Sequence, residues 1–152
     1  MLNRRTFLIS AAAAPAAFTL ATPALAAKPE IYAPNGIAIK GYDTVAFFTQ
    51  KTHVKGDAAF AVNHKGATWH FASADNMKAF QADPAAYAPQ YGGYCAFAVA
   101  HGATAKTDAD AWTIHDGKLY LNFNKSVRAK WRKDIPGFVE RADANWPTVL
   151  EA

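Results

Sequence analysis

The chain of 152 residues carries a single cysteine and two methionines. One thiol cannot close an internal disulfide or build a cysteine-only zinc site. Charge is sparse as well: 16 Lys and Arg stand against 12 Asp and Glu, a formal net charge of +4. Two of the arginines, Arg4 and Arg5, belong to an N-terminal leader. The remainder is nearly balanced, which excludes nucleic-acid binding driven by bulk charge. No phosphate-binding glycine loop, HExxH zinc motif, paired carboxylates or nucleophile–base–orienter arrangement stands at a defined spacing, so the chain does not read as an enzyme. The strongly apolar part of the leader is shorter than the ~20 residues a membrane span needs. No internal repeat or low-complexity stretch is visible beyond it. Aromatic residues are not scarce: four Trp, six Tyr and ten Phe can fill a core without covalent staples.

The leader is explicit. Asn3-Arg4-Arg5-Thr6-Phe7-Leu8-Ile9 precedes an alanine-rich apolar run from Ser10 to Leu20, and Ala24-Leu25-Ala26 supplies a small-x-small cleavage pattern. The arginine pair followed by Phe-Leu resembles a twin-arginine export motif, with Asn3 and Ile9 departing from it; general secretion is the other route. Residues 1–26 are therefore expected to be a signal peptide cleaved near Ala26, delivering the protein to the periplasm. Residues 27–36 are expected to be an extended lead-in and 37–152 one domain, with no membrane span once the signal is removed.

Patterning in the mature part predicts an α+β fold of short antiparallel hairpins covered by small helices. Asp57 to Phe71 alternates around a turn at Lys65-Gly66, placing Phe60 and Val62 opposite Phe71 and Trp69, with His64 at the end of the core side and His70 on the other. Ser73 is an N-cap for a helix through Phe80 that Asp83-Pro84 ends, and a loop follows through Pro89. A helix is predicted from Gly92 to Ala100. Asp116-Gly117 turns a second hairpin, with Trp112, Ile114, Leu119 and Leu121 on an apolar side and Thr113, His115, Lys118 and Tyr120 on the other. Asn124 caps a helix carrying Val127 and Trp131, and Pro136 opens a last one.

Gly41-Tyr42-Asp43-Thr44-Val45-Ala46-Phe47-Phe48, Phe71-Ala72-Ser73-Ala74-Asp75-Asn76, Phe80, Asp83-Pro84 and Tyr87 together resemble a YHS domain. Tyr91-Gly92-Gly93-Tyr94-Cys95-Ala96 and Asp116-Gly117-Lys118-Leu119-Tyr120-Leu121-Asn122 resemble a group of exported single-domain YHS proteins. The resemblance runs from about Gly41 to Trp146. It implies a metal-handling context, copper above all, with cysteine ligands. Position by position, those cysteines fall on Ala46, Ala72 and Asn76 here. Alanine has no lone pair to give, and an asparagine oxygen is poorly matched to a soft cuprous ion.

The groups left to carry chemistry are few. Cys95 is a candidate metal ligand with His64, or a structural thiol; free cysteine is among the most buried residue types. Tyr42, Asp43 and Tyr94 are candidate ligand-binding residues, although Gly-Tyr-Asp also reads as a turn in which the aspartate caps the next segment. His53, His101 and His115 show no ligand spacing. Lys125, Arg128, Lys130, Arg132 and Lys133 form a basic stretch that reads as a solvated helix face or as a dock for an acidic partner or lipid. Two functions are weighed above a Cys95-dependent enzyme. One is a periplasmic YHS binding module for copper, another metal ion or a small ligand; the other is a metal-free protein that docks to a periplasmic partner. A donor beside Cys95 would favour the first, and an all-hydrocarbon wrapping the second.

Overall fold

Two turns set the architecture. Lys65-Gly66 and Asp116-Gly117 hold φ of 50° and 76°, and of 49° and 72°, so both central residues of each turn are left-handed. That backbone twist matches the twist of the strands it joins, and it makes each turn a tight hairpin. The computed structural model describes residues 14–15 and 27–152, so the expected signal peptide lies almost wholly outside the described residues. The first hairpin pairs β1 (Asp57–His64) with β2 (Ala67–Phe71), and the second pairs β3 (Asp108–His115) with β4 (Lys118–Asn122). Helices α1 (Thr44–Thr49), α2 (Ala74–Ala82), α3 (Pro84–Tyr87), α4 (Ala96–Ala100), α5 (Lys125–Trp131) and α6 (Ile135–Asn145) cover them. The α+β class is thus the observed one. No helix among the described residues is long and apolar enough to cross a membrane.

Val62 faces Trp69 as the alternation requires, but Phe60 does not face Phe71, because a register shift between Asp57 and Ala61 sets Asp57 there instead. Such a bulge places extra residues on one strand and bends it. The second hairpin pairs Trp112 with Leu121 and Ile114 with Leu119, as expected. On its other side Thr113 (8% exposed) and Tyr120 (3%) are buried as well, while Lys118 at the turn is exposed. The reason is that β4 lies between two cores. Leu119 and Leu121 join Phe47, Trp69, Phe71 and Phe80 in one cluster, and Tyr120 joins Tyr91, Tyr94, Val99 and Trp131 in another.

Two helix expectations are corrected. Pro84 to Tyr87 is a turn of helix rather than loop, started by the Asp83 side chain, which accepts from the Ala86 amide. The helix expected from Gly92 begins only at Ala96. Tyr91, Gly92 and Gly93 hold φ of 58°, 62° and 86°, so the chain there is a left-handed turn that no α-helix admits. Gly92 is needed for a further reason. A Cβ there would stand 1.7 Å from the carbonyl oxygen of Glu30. The lead-in passes over it, with the Tyr32 amide donating to the Gly92 carbonyl at 2.8 Å and the Lys28 amide to Leu150 at 2.8 Å. Residues 27–36 are therefore a strap bound to the second core, with Ile31 buried in the first.

Candidate functional site

Asp43 stands at the N-cap of α1 and is fully buried. One carboxylate oxygen accepts from the amides of Val45 at 2.9 Å and Ala46 at 3.2 Å, capping α1. The other accepts from the Ala72 amide at 2.8 Å and from the Asn76 side-chain amide at 2.7 Å. The cap reading of Gly-Tyr-Asp holds, and it reaches further than the sequence indicates. Ala46, Ala72 and Asn76, where the resemblance would place cysteines, converge on this carboxylate. Four donors saturate it, so it has no lone pair free for a metal ion. The three positions meet here through two backbone amides and one side-chain amide.

Cys95 stands at the N-cap of α4 and is 1% exposed. Its thiol donates to the Asn122 carbonyl oxygen at 3.5 Å, and the Phe97 amide donates to the same oxygen at 3.0 Å. Burial pushes the thiol's pKa up; the amides of Ala98, Phe123 and Phe97 oppose this only in part. A buried neutral thiol is a poor nucleophile and a poor ligand. The environment is neither of the two expected alternatives: it is polar, but the polar partner is an amide rather than an imidazole or carboxylate.

The structure shows no meeting of Cys95 with His64. The His64 ring packs against Phe80 at 5.6 Å and Trp69 at 6.1 Å, on the core side of the first hairpin as expected. His101 bonds the Phe97 carbonyl through Nδ1 at 2.7 Å, while His53 and His115 pair with Asp110 and Asp116. Among the described residues no three His, Cys, Asp or Glu side chains converge as metal ligands would. Tyr94 is taken up internally too, its hydroxyl donating to the Pro29 carbonyl at 2.8 Å. Tyr42 is half-buried, with the Lys55 ammonium 4.7 Å above its ring. The basic stretch is partly consumed. Arg128 donates to the carbonyls of Asp110 and Trp112, and Arg132 to Trp112 and to the Thr113 hydroxyl, so both clamp the outer edge of β3.

What the sequence does not disclose is a cleft of about 430 Å³ lined by Glu30, His64, Lys65, Asp83, Tyr91 and Trp146 among others. Its rim carries an ion pair between Lys65 and Glu30 at 2.8 Å, and both partners are about half exposed. Its wall is aromatic: Tyr91 lies 6.0 Å from Trp146, and its hydroxyl donates to Asp143 at 2.9 Å. Burial, with Asp143 beside it, pushes the Tyr91 pKa far above the ordinary tyrosine value. The cleft assembles only when the strap, the first hairpin turn, α3 and the left-handed turn meet, so no local spacing could announce it.

Fold and carboxylate network together define a small α+β domain built from hairpin–helix units. The family model described as the YHS domain matches residues 45–91, the stretch from α1 to the cleft-lining Tyr91. Residues 45–91 of the protein thus carry a YHS domain, a domain associated with metal-binding proteins. No curated protein and no solved structure matches the chain.

Proposed function

We propose that this is an exported, non-enzymatic binding module of the YHS type whose ligand seat is the cleft beside His64 and Lys65. The cleft itself carries this reading. At about 430 Å³ it has the size of a small-molecule site, with polar groups at its rim and aromatic carbon on its wall. The ligand class that suits it is a small organic molecule with one polar end and one apolar face. Export is supported by the sequence of residues 3–26. Copper, which the resemblance suggests, does not fit the donors present. The Asp43 carboxylate is saturated, and the Cys95 thiol is buried, neutral and paired with an amide. A docking role has one observation in its favour: Phe123 is 40% exposed, with the Lys106 ammonium 5.5 Å from its ring.

The test is native mass spectrometry and elemental analysis of protein purified from the periplasm of copper-supplemented cells. Wild type, Cys95→Ala and Ala85→Trp are compared; Ala85 is an exposed residue of the cleft wall. A small-molecule adduct in the wild type that Ala85→Trp abolishes, with copper at background throughout, is the expected result. Stoichiometric copper in the wild type that disappears in Cys95→Ala overturns the proposal. An adduct equally abundant in Ala85→Trp removes the cleft as its seat.

A further inference from the structure

No repeat is visible as residue identity, yet the backbone runs through one local course twice. Ile39, Lys40 and Gly41 hold φ of 53°, 55° and 82°, and Tyr91, Gly92 and Gly93 hold 58°, 62° and 86°. Left-handed backbone is costly for a β-branched residue such as Ile39, so this turn is not a generic one. Each turn is followed by a tyrosine and then by the N-cap residue of a short helix, Tyr42-Asp43 before α1 and Tyr94-Cys95 before α4. The Asp43 amide donates to the Val54 carbonyl at 2.8 Å, and the Cys95 amide to Ala105 at 3.0 Å.

The hairpins agree residue for residue. Asp57 pairs with Phe71 and, after a register shift, Ala61 pairs with His70. Asp108 pairs with Asn122 and, after the same shift, Trp112 pairs with Leu121. Asp57 and Asp108 each accept the amide two residues on, at 2.8 and 3.0 Å. Ser73 caps α2 and Asn124 caps α5, each through the third residue on, at 3.1 and 2.8 Å. The ring contact of Trp69 with Phe80 at 4.9 Å is matched by Tyr120 with Trp131 at 5.1 Å. Asp83 and Asp134 then cap the next helices.

We propose that residues 38–83 and 90–134 are two copies of one unit, and that Cys95 is the second copy's Asp43: a capping group that closes a helix start rather than a ligand or nucleophile. The counterparts of Val45, Ala46 and Ala72, whose amides bind the Asp43 carboxylate, are Phe97, Ala98 and Phe123. These are the three amides that favour the Cys95 thiolate. A neutral thiol accepts hydrogen bonds weakly, and the second copy compensates with an amide. Asn122, on β4, takes the Phe97 amide and the thiol proton on one oxygen. Its buried nitrogen is left without a partner. Turned over in a Cys95→Asp variant, where the new carboxylate takes the Phe97 amide, that nitrogen would face position 95 as the Asn76 nitrogen faces Asp43.

The experiment compares Cys95→Asp, Cys95→Ser and Cys95→Val in the full chain, by thermal unfolding and by amide proton NMR. Valine keeps the volume and removes every acceptor. The expected result is a Tm for the Asp and Ser variants at least roughly 5 °C above that of the Val variant. In Cys95→Asp the Phe97, Ala98 and Phe123 amide protons should also move downfield together. A Val variant as stable as the other two overturns the proposal, and so does an Asp variant whose three amides stay in place. Failure of all three variants to fold overturns it as well, since a cap position tolerates serine.

Discussion

Removing the Asp43 carboxylate is the sharpest perturbation the fold offers. In Asp43→Ala the cap of α1 is lost, worth about 1 kcal/mol. The Ala72 amide and the Asn76 side chain also lose bonds to a charged acceptor, at roughly 1.5–3 kcal/mol each. The expected total is about 4–7 kcal/mol, close to the whole stability of many domains of this size. Asp43→Asn is the finer probe. Its amide keeps one oxygen for the Val45 and Ala46 amides, and its nitrogen then points at two donors. Turning over the Asn76 amide relieves one of these clashes and leaves the Ala72 amide unpaired. That variant should lose about 2–3 kcal/mol. Urea unfolding followed by tryptophan fluorescence measures both, provided the denaturant slope is unchanged. A loss below about 1 kcal/mol for Asp43→Ala would refute the claim that this carboxylate joins α1, β2 and α2.

Trp69→Ala should destabilise by about 3–5 kcal/mol in the same assay, since the side chain is 1% exposed and its indole N–H donates to the His64 carbonyl at 3.0 Å. Trp112 is only half-buried, so the same change there should cost less, and a reversed order would mean the strand faces are misassigned. Alkaline pH should destabilise the fold. Burial raises the Cys95 pKa from its ordinary 9.0, and those of Tyr94 and Tyr120 from 10.0. A raised acid binds its proton more tightly when folded, so this stability is complete below the unfolded pKa and is lost as pH climbs through the folded one. A Tm scan should therefore decline from about pH 9 upward, and the first part of that decline should be missing in Cys95→Ala; a flat scan refutes it. Arg132→Met should cost about 1 kcal/mol by unlocking the β3 edge from Thr113 and Trp112, and an unchanged urea midpoint would show the clamp to be idle.

What was legible in the sequence is what depends on neighbours along the chain. Both hairpin turns, the Ser73 and Asn124 caps, the pairing of Trp112 with Leu121 and the capping role of Asp43 all follow from residues a few positions apart. The bulge that takes Phe60 away from Phe71 does not, because alternation alone cannot show where a strand gains residues. Nor does the left-handed turn at Ile39 or Tyr91, which glycine statistics would not place on an isoleucine or a tyrosine. The burial of Tyr120 escaped for another reason: β4 serves two cores at once, so its alternation separates one interior from another rather than core from solvent.

The candidate site divides along the same line. Ala46, Ala72 and Asn76 could be marked as the positions where ligands are missing, and read one at a time they suggest an emptied shell. In space the three surround one carboxylate, and that changes what their identities mean. Positions 46 and 72 contribute backbone amides, with that of Val45, and asparagine at 76 contributes the remaining donor from its side chain. Cysteine at 76 would remove the side-chain amide that donates to Asp43. The substitutions are thus mutually consistent as a hydrogen-bonded joint, and each would be unexplained alone. With the interior around Asp43 given over to holding α1, β2 and α2 together, the ligand seat proposed above lies instead in the surface cleft framed by Lys65, His64 and Tyr91.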